Sequence, residues 1–448
     1  MTGETLCLQR GWLVGGLVWF LGTLCGGFCA TPHFVFAHYM VCFPTYGETI
    51  AAYQKEIREA QAAGIDGFAL DVGDWTGPDW YYKTRVKTIY NAAEQMGTGF
   101  KLFFSVELTN TADIVDMVTT YGPRTNSFHY QGKTVVSTFG QNGVDWQNGV
   151  FAPLLTTGIN VFFVPFFWPA SKAELPGYQD AVGILNTYSN LVDGLFLFGA
   201  AGLPEQLAQC NSNYTAAVHA AGKLSMAGFT PHYWGCNQTN SGRRYYETRG
   251  GEGTVLQWQS IIQNQPDWVE IVTWNDFNES TYVSPSSVWS QAPTRYCHSG
   301  YLELASHFIA WYKTGQEPAI DRDAFFYFYR IHPKAAVASD TNDVAVTAFG
   351  GTVDDTLYTT ALLVSPAQLE IQSGGVLTTN PLRAGMSHLR TPFTPGPQTF
   401  TLKRSGQQLF SLQGQPVVSQ IQLYDFFPTS SATYSPPRPP SNFRVTGP

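Results

Sequence analysis

Short runs of apolar, β-branched and aromatic residues recur along the first two thirds of the chain and alternate with helix-like stretches. Such runs are typical of parallel strands that are buried on both faces. After the first run, the spacing of Ile57, Ala60 and Gly64 predicts an amphipathic helix that ends at the glycine. The predicted strands are FVFAHYMV (34–41), GFALDV (67–72), KLFFSVE (101–107), TVVSTF (134–139), VFFVPFF (161–167), GLFLFG (194–199), KLSMAGF (223–229) and EIVTWND (270–276).

Eight strands that alternate with helices predict an α/β fold, the (β/α)8 or TIM barrel, over residues 33–318. In that fold the C-terminal ends of the strands carry the chemistry, so the residues that close each run are the candidates for a site. After a further helix at 301–315, the pattern changes to alternating residues with Gly, Pro and Thr turns. We therefore expect a β-sandwich over 322–428 and an extended or disordered Pro-rich tail over 429–448.

The N-terminus has the pattern of a secretory signal. Arg10 precedes an apolar stretch from Trp12 to Cys29, and small residues and Pro32 follow. We assign residues 1–30 to a cleaved signal peptide and expect a secreted protein, extracellular or in a cell wall, with no stable membrane insertion after cleavage. The alternative is a retained membrane anchor, because the apolar stretch is nearly long enough to span a bilayer.

The cysteine pattern agrees with export. Three of the seven cysteines lie in the predicted signal, which leaves Cys42, Cys210, Cys236 and Cys297. An even remainder fits two disulfides in an oxidising compartment, although four cysteines allow three connectivities. Because the first and eighth strands of a barrel are neighbours, we expect Cys42 to pair with Cys297 and Cys210 with Cys236.

Composition excludes some classes of function. Only 13% of the residues are charged and the formal net charge is -8, so no basic surface is available for a nucleic acid. Aromatic residues make up 15% of the chain, which suits stacking against the apolar faces of sugar rings, although aromatic side chains also fill cores. Because the sequence has no phosphate-binding glycine loop and no HExxH or GxSxG motif, we expect neither a cofactor nor a metal.

The segment VEIVTWNDFNES places two acidic residues, Asp276 and Glu279, at the end of the eighth predicted strand. Cleavage of a glycosidic bond needs two carboxyl groups, one to protonate the leaving oxygen and one to activate water or attack. A separation of three residues at a strand end allows both side chains to enter the same barrel mouth. The alternative is structural, with an Asp in a turn and a Glu that caps the next helix.

Further polar and aromatic residues fall at or just after the predicted strand ends. Asp71 and Glu107 are placed to bind sugar hydroxyls, and either is an alternative partner for Glu279 in an acid/base pair. Histidine and aromatic residues in such positions also serve as ordinary core residues. The candidate substrate-binding residues are Asp71, Glu107, His38, Trp75, Trp168, His232, Tyr233, Trp234, Trp274, Asn275 and Tyr282.

Several long segments resemble the fungal α-1,3-glucanases, or mutanases, of glycoside hydrolase family 71. They are VFAHYMV, AQAAGIDGFALDVG, KLFFSVE, VEIVTWNDFNES, HFIAWYKTG and YFYRIHPK. The family's W-N-D-aromatic-x-E-S motif is matched at residues 274–280, and the resemblance implies that Asp276 and Glu279 are the catalytic acids. The chain departs from the family pattern at Asn278, where many members have Gly, and in AHYMVCF, where many have AHFMVGN.

The resemblance implies a secreted, metal-independent glucan endo-1,3-α-glucosidase that inverts configuration and acts on fungal wall glucan or bacterial mutan. Its expected partners are α-1,3-glucan, as polymer or oligosaccharide, and water as co-substrate, and we expect a monomer. Two alternatives stay open: a hydrolase of another α-glucan, and a non-catalytic wall-binding protein on a degenerate barrel. The presence of both carboxyl residues argues against the second.

Overall fold

The computed structural model describes residues 33–236, 243–285 and 296–434. The predicted signal peptide at 1–30 and residues 435–448 of the predicted tail lie outside the described residues. Within the described ranges, no helix combines the length and the apolar character that crossing a membrane requires.

A curled sheet of mainly parallel strands forms the first part of the protein. Its strands are β1 (Phe34–Met40), β2 (Gly67–Val72), β3 (Lys101–Val106), β4 (His129–Tyr130), β5 (Lys133–Gly140), β6 (Val161–Phe163), β7 (Phe166–Phe167), β8 (Gly194–Leu197), β9 (Leu224–Phe229) and β12 (Trp268–Ile271). They pair in the order β4-β5-β3-β2-β1-β12-β9-β8, and β6 and β7 both pair with β5. Each run predicted as a strand therefore contains a strand of this sheet.

Helices follow most of these strands, as the pattern predicts. They are α1 (Ile50–Ala62), α2 (Tyr81–Met96), α3 (Thr111–Tyr121), α4 (Ala152–Thr156), which a π-helical turn (Trp146–Phe151) precedes, α5 (Tyr178–Tyr188), α6 (Pro204–Ala220), α7 (Gly251–Asn264) and α8 (Ser299–Thr314). Helix α1 begins after Thr49, whose hydroxyl accepts a hydrogen bond from the Ala52 N–H at 3.2 Å. Gly64 follows the helix with φ +90°, which confirms the predicted glycine end.

Two strands are shorter than the apolar runs that predict them. The run VFFVPFF divides into β6 and β7 around Pro165, because proline has no N–H to donate to a neighbouring strand. The run EIVTWND is a strand only as far as Ile271. Trp274 and Asp276 consequently lie in the loop that follows β12.

Side chains alternate between the two faces of the sheet and build two separate cores. Val35 packs with the helices, whereas Phe36 belongs to the cluster on the opposite face. That cluster consists of Phe36, Ala69, Phe103, Phe128, Val135, Phe162, Val164, Phe166, Phe196, Leu224, Met226, Trp268 and Val272. His38, Asp71 and Glu270 each lie two residues beyond a member of this cluster on the same strand, so they share its face.

The C-terminal region is β-rich. Its strands are β13 (Ala324–Arg330), β15 (Thr356–Leu363), β16 (Ala367–Ser373), β17 (Val376–Leu382), β18 (Gly385–Pro392), β19 (Gly396–Arg404), β20 (Gln407–Val417) and β21 (Pro428–Tyr434). They form two antiparallel sheets, β18-β15-β13-β21 and β17-β16-β19-β20, and one hydrophobic cluster contains residues of both. Strand β21 pairs with β13 along its whole length, so ordered structure continues into the segment expected to be a tail.

A small sheet of three strands links the two parts. Its strands are β10 (Tyr233–Trp234), β11 (Arg244–Tyr246) and β14 (Ala348–Gly350). Strand β10 pairs with β11 antiparallel, and β11 pairs with β14 parallel. Beside this sheet, Arg243 and Asp343 form an ion pair at 2.8 Å, with each side chain only 10% exposed.

The structure corrects the prediction of two disulfides. It contains Cys42, Cys210, Cys236 and Cys297 as free thiols. Cys210 packs in the core between the sheet and the helices, whereas Cys236 belongs to a different cluster beside β10. The thiol of Cys236 lies 2.9 Å from the Asn278 carbonyl oxygen and donates to it. The sulfur of Cys297, just before α8, likewise donates to a hydroxyl rather than bonding to Cys42.

Glu56 joins three elements from within the core. Its carboxylate on α1 accepts hydrogen bonds from the Tyr39 hydroxyl at 3.0 Å, the Thr45 N–H at 3.2 Å and the Trp274 indole N–H at 2.8 Å. The side chain is fully buried. Burial raises the pKa of Glu56 to about 7, although these hydrogen bonds favour the charged form.

We expect the free energy of unfolding to depend on the protonation of Glu56. Because its folded pKa lies above the ordinary value, the folded state binds the proton more tightly, and stability is lost as the pH rises through about 7. A pKa difference of this size corresponds to about 3 kcal/mol. Denaturant unfolding from pH 4.5 to 8 should show a smaller decline with pH for Glu56→Gln than for the wild type. The exposed-surface variant Asp321→Asn should follow the wild type, and an unchanged slope in Glu56→Gln would contradict the prediction.

Candidate active site

Acidic side chains converge at the C-terminal ends of β1, β2, β3 and β12. His38 lies among them, with Nδ1 at 2.7 Å from Glu270 Oε1 and Nε2 at 4.0 Å from Asp71 Oδ1. Burial alone would lower the pKa of His38, but the hydrogen bond to Glu270 and the charges of Asp71 and Glu107 raise it above its ordinary value. The carboxyl groups around the imidazole therefore favour its protonated, positively charged form.

The loop after β12 is fastened to the end of β1. The Trp274 N–H donates to the His38 carbonyl at 2.7 Å. The amide of Asn275 accepts from the Met40 N–H at 2.8 Å and donates to the Met40 carbonyl at 3.0 Å and the Phe43 carbonyl at 2.6 Å. Because Asn275 is fully buried and its amide is committed to the backbone, the structure gives it a positioning role in place of the predicted contact with substrate.

Asp276 closes a tight turn that brings Glu279 next to it. Asp276 Oδ1 accepts hydrogen bonds from the Asn278 N–H at 2.9 Å and the Glu279 N–H at 3.1 Å. The Asp276 N–H in turn donates to the Thr273 hydroxyl at 2.8 Å. Burial raises the pKa of Asp276 above its ordinary value, while the two backbone donors hold it lower than burial alone would.

Glu279 is held by the strand β10. The Tyr233 hydroxyl donates to Glu279 Oε1 at 3.2 Å, and the Trp234 N–H donates to the Glu279 carbonyl at 2.9 Å. Burial and the nearby charge of Asp276 raise the pKa of Glu279 to about 8. A carboxyl group with this pKa is largely protonated at neutral pH and can act as a proton donor.

Asp71 and Glu107 complete the acidic cluster. Burial raises the pKa of Asp71 well above its ordinary value, and the charges of Glu107 and Asp276 raise it further. Burial also raises the pKa of Glu107. Asp71 Oδ1 is buried and accepts no hydrogen bond from the described residues.

The structure does not bring every predicted residue to this cluster. Four predicted aromatic residues are buried in cores, where no ring face is open to a sugar: Trp75, Trp234, Trp274 and Tyr282. The Tyr282 ring stacks on the His298 ring with centroids 3.7 Å apart, and the Trp75 indole N–H donates to Asp116 at 2.7 Å. Aromatic side chains of this size contribute to the core by apolar burial, and these four do so here.

His232 lies behind the loop of Asp276 and Glu279 rather than within the cluster. Its Nδ1 is 3.0 Å from the Ser280 hydroxyl, and its ring is near those of Tyr245 and His298. Burial and the charge of His298 lower the pKa of His232 well below its ordinary value. The imidazole is therefore neutral and supports the residue that follows Glu279.

Trp168 lies beside an open cavity. It is partly exposed and lines a cleft of about 680 Å³ together with Glu107. The sequence interpretation missed Glu270, the hydrogen-bond partner of His38. Strand alternation was the signal that identifies it, because Glu270 lies two residues after Trp268 of the interior cluster.

Among the described residues, no group of three or more His, Cys, Asp or Glu side chains is arranged to hold a metal ion. The carboxyl groups of the cluster can donate, accept and relay protons.

Comparison with known proteins identifies relatives over most of the chain. A glucan endo-1,3-alpha-glucosidase of Schizosaccharomyces pombe is 27% identical over 416 residues, which cover 88% of this chain and 92% of the relative. A mutanase of Penicillium rubens is 28% identical over 396 residues, which cover 85% of this chain and 84% of the relative. An ascus wall endo-1,3-alpha-glucanase of Schizosaccharomyces pombe is 26% identical, with coverage of 86% and 91%.

Among solved structures, the endo-alpha-mannosidase of Bacteroides thetaiotaomicron aligns with a TM-score of 0.49 at 14% identity, and covers 63% of this chain and 98% of its own. The sequence profile of glycosyl hydrolase family 71 matches residues 31–437. This range includes Asp276, Glu279 and the rest of the acidic cluster. The family resemblance seen in the sequence is thus confirmed, and the chain belongs to glycosyl hydrolase family 71.

Proposed function

We propose that this protein hydrolyses α-1,3-glucosidic bonds of a glucan with inversion of configuration, using Asp276 and Glu279. The observation that supports it is the turn in which the Glu279 N–H donates to the Asp276 carboxylate, so that both residues lie in one partly buried acidic cluster and the charge of Asp276 acts on Glu279. The substrate class follows from the relatives, which are described as a glucan endo-1,3-alpha-glucosidase, a mutanase and an ascus wall endo-1,3-alpha-glucanase.

Glu279 acts as the general acid and Asp276 as the general base. Glu279 gives its proton to the glycosidic oxygen as the bond from that oxygen to the anomeric carbon breaks. Asp276 takes a proton from water, whose oxygen forms the new bond to the anomeric carbon from the opposite face. Their environments favour this assignment, because Asp276 accepts two backbone N–H groups and Glu279 does not.

We also infer the finer architecture and location. Backbone hydrogen bonds from Asp193 to Phe163 and from Phe196 to Pro165, both 2.9 Å, support closure of the sheet into a (β/α)8 barrel over 33–318. The hydrophobic cluster common to the two C-terminal sheets supports a β-sandwich over 322–428. The signal pattern at 1–30 supports secretion to the extracellular space or the wall. The partners are the glucan chain and water, and the protein is a monomer.

Asp276→Asn and Glu279→Gln should each lower the rate of reducing-sugar release from α-1,3-glucan by about a hundredfold to ten-thousandfold, because each removes one proton-transfer group. The melting temperature of both variants should stay close to that of the wild type, and Glu317→Gln should be fully active. Asp71→Asn should lower the rate less than Asp276→Asn does. A larger loss in Asp71→Asn would move the role of base from Asp276 to Asp71.

Newly released reducing ends should carry the β configuration. An inverting reaction delivers water to the face opposite the leaving oxygen, so an α-linked glucan yields a β-hemiacetal. Proton NMR of the anomeric region in the first minutes of digestion measures this before mutarotation mixes the anomers. An initial excess of the α-anomer would show retention and rule out the inverting mechanism, while starch, nigeran and β-1,3-glucan as parallel substrates test the specificity.

Tyr233→Phe should move the alkaline limb of the kcat/KM profile to higher pH. The wild-type acid must be protonated, so activity should fall as the pH rises through about 8. The Tyr233 hydroxyl donates to Glu279 and favours its charged form, so its removal raises the pKa of Glu279. The matched control is Tyr246→Phe on β11, which should leave the limb unchanged. A downward shift in Tyr233→Phe would contradict the assignment of Glu279 as the acid.

A further inference from the structure

An open cleft continues outward from the acidic cluster. Its volume is about 680 Å³, within the range of about 300 to 1,000 Å³ typical of ligand sites. Glu107 lines the cleft and also belongs to the cluster, so the two adjoin at this residue. The lining residues are Glu107, Thr109, Phe139, Gly140, Gln141, Asn142, Gly143, Val144, Asp145, Trp168 and Lys172.

The indole of Trp168 is fixed in one wall of this cleft. The Asn142 side-chain amide donates to the backbone carbonyl of Trp168 at 2.9 Å and accepts from the backbone N–H of Trp168 at 3.0 Å. Phe139 and Phe166 contact the indole edge to face, with centroids 6.0 and 5.1 Å away. Gly140 has φ +87°, and a Cβ at that position would lie only 3.0 Å from Trp168 Nε1. The ring is thus held rigidly and stays partly exposed, which lowers the entropy cost of using it as a contact.

Polar groups surround the indole. Asp145 and Lys172 bring one charge of each sign to the cleft, and Thr109 adds a hydroxyl. The Gln141 amide donates to the Glu107 carbonyl at 2.7 Å and so ties the cleft wall to the strand end that carries the acid. A flat apolar face within a polar rim matches a hexose, which presents C–H groups on its ring faces and hydroxyls at its edge.

We infer that this cleft binds glucosyl units of the substrate chain beyond those at the acidic cluster, with the indole of Trp168 stacked on a sugar ring. This inference rests on the proposed function, because it places the same glucan chain across both surfaces. The cleft then makes longer chains better substrates than short ones, since each additional glucosyl unit gains contact with a preformed wall. The additional binding energy comes from contacts with parts of the substrate that are remote from the bond that breaks.

The test is the dependence of kcat/KM on chain length for soluble α-1,3-linked glucose oligosaccharides. Wild-type kcat/KM should rise with length until the cleft is filled. Trp168→Ala should remove about tenfold of that rise and leave the shortest cleaved oligosaccharide within about twofold of the wild type. Trp168→Phe keeps a flat ring and should retain most of the rise. The matched control is Trp80→Ala, which removes a 71% exposed indole that does not line the cleft.

The outcomes separate this inference from the proposed function. Equal losses at every chain length in Trp168→Ala, with a lowered melting temperature, would mean that the indole supports the fold and not the substrate. A wild-type length dependence in Trp168→Ala and Trp168→Phe would overturn the cleft proposal while leaving the hydrolase intact. A wild-type protein that cleaves no α-1,3-linked substrate would overturn both. Calorimetric binding of a long oligosaccharide to Glu279→Gln should weaken by about tenfold when Trp168→Ala is added.

Discussion

The repulsion among Asp71, Glu107, Asp276 and Glu279 is the constraint on which the site depends. Two like charges 4 Å apart repel by about 4 kcal/mol at the effective dielectric of a protein, so ionising all four neighbouring carboxyl groups at once is unfavourable. Two features of the structure reduce this repulsion: the protonated form of His38 is favoured, and the raised pKa values of Asp71 and Glu279 favour their neutral forms. Protons available for transfer are thus a consequence of packing acids together.

The loop of Asp276 and Glu279 is held by elements outside the parallel sheet. Strand β10 donates the Trp234 N–H to the Glu279 carbonyl and the Tyr233 hydroxyl to the Glu279 carboxyl. Strand β14 of the C-terminal region supports that arrangement through β11, and the buried Arg243–Asp343 ion pair lies alongside. The C-terminal region therefore supports Glu279 indirectly. Its strand β14 pairs with β11, which pairs with the strand β10 that carries Tyr233.

Much of this was predictable because alternation along a strand decides which face a side chain takes. The strands that lead to Asp71 and Glu107 were located from sequence, whereas the strand predicted to reach Asp276 ends at Ile271 and leaves Asp276 in the loop that follows. The roles of Trp274 and Tyr282 were not, since a strand-end aromatic residue looks the same in sequence whether it fills a core or faces a ligand. The prediction of disulfides was wrong for a related reason. An even number of cysteines does not indicate where each one packs, and Cys210 and Cys236 belong to different hydrophobic clusters. The family resemblance added the activity, which alternation alone does not contain.

The residue after the acid shows how local strain and chemistry are connected. Ser280 has φ +58°, a left-handed conformation that costs a non-glycine residue on the order of 1 kcal/mol or more. It is fully buried and its hydroxyl is 3.0 Å from His232 Nδ1, so the imidazole helps to hold a backbone that would otherwise relax. Ser280 directly follows Glu279, whose pKa the charge of Asp276 helps to raise. His232 thus contacts the residue next to Glu279, and a residue located by its strand-end position lies behind the loop and not within the acidic cluster.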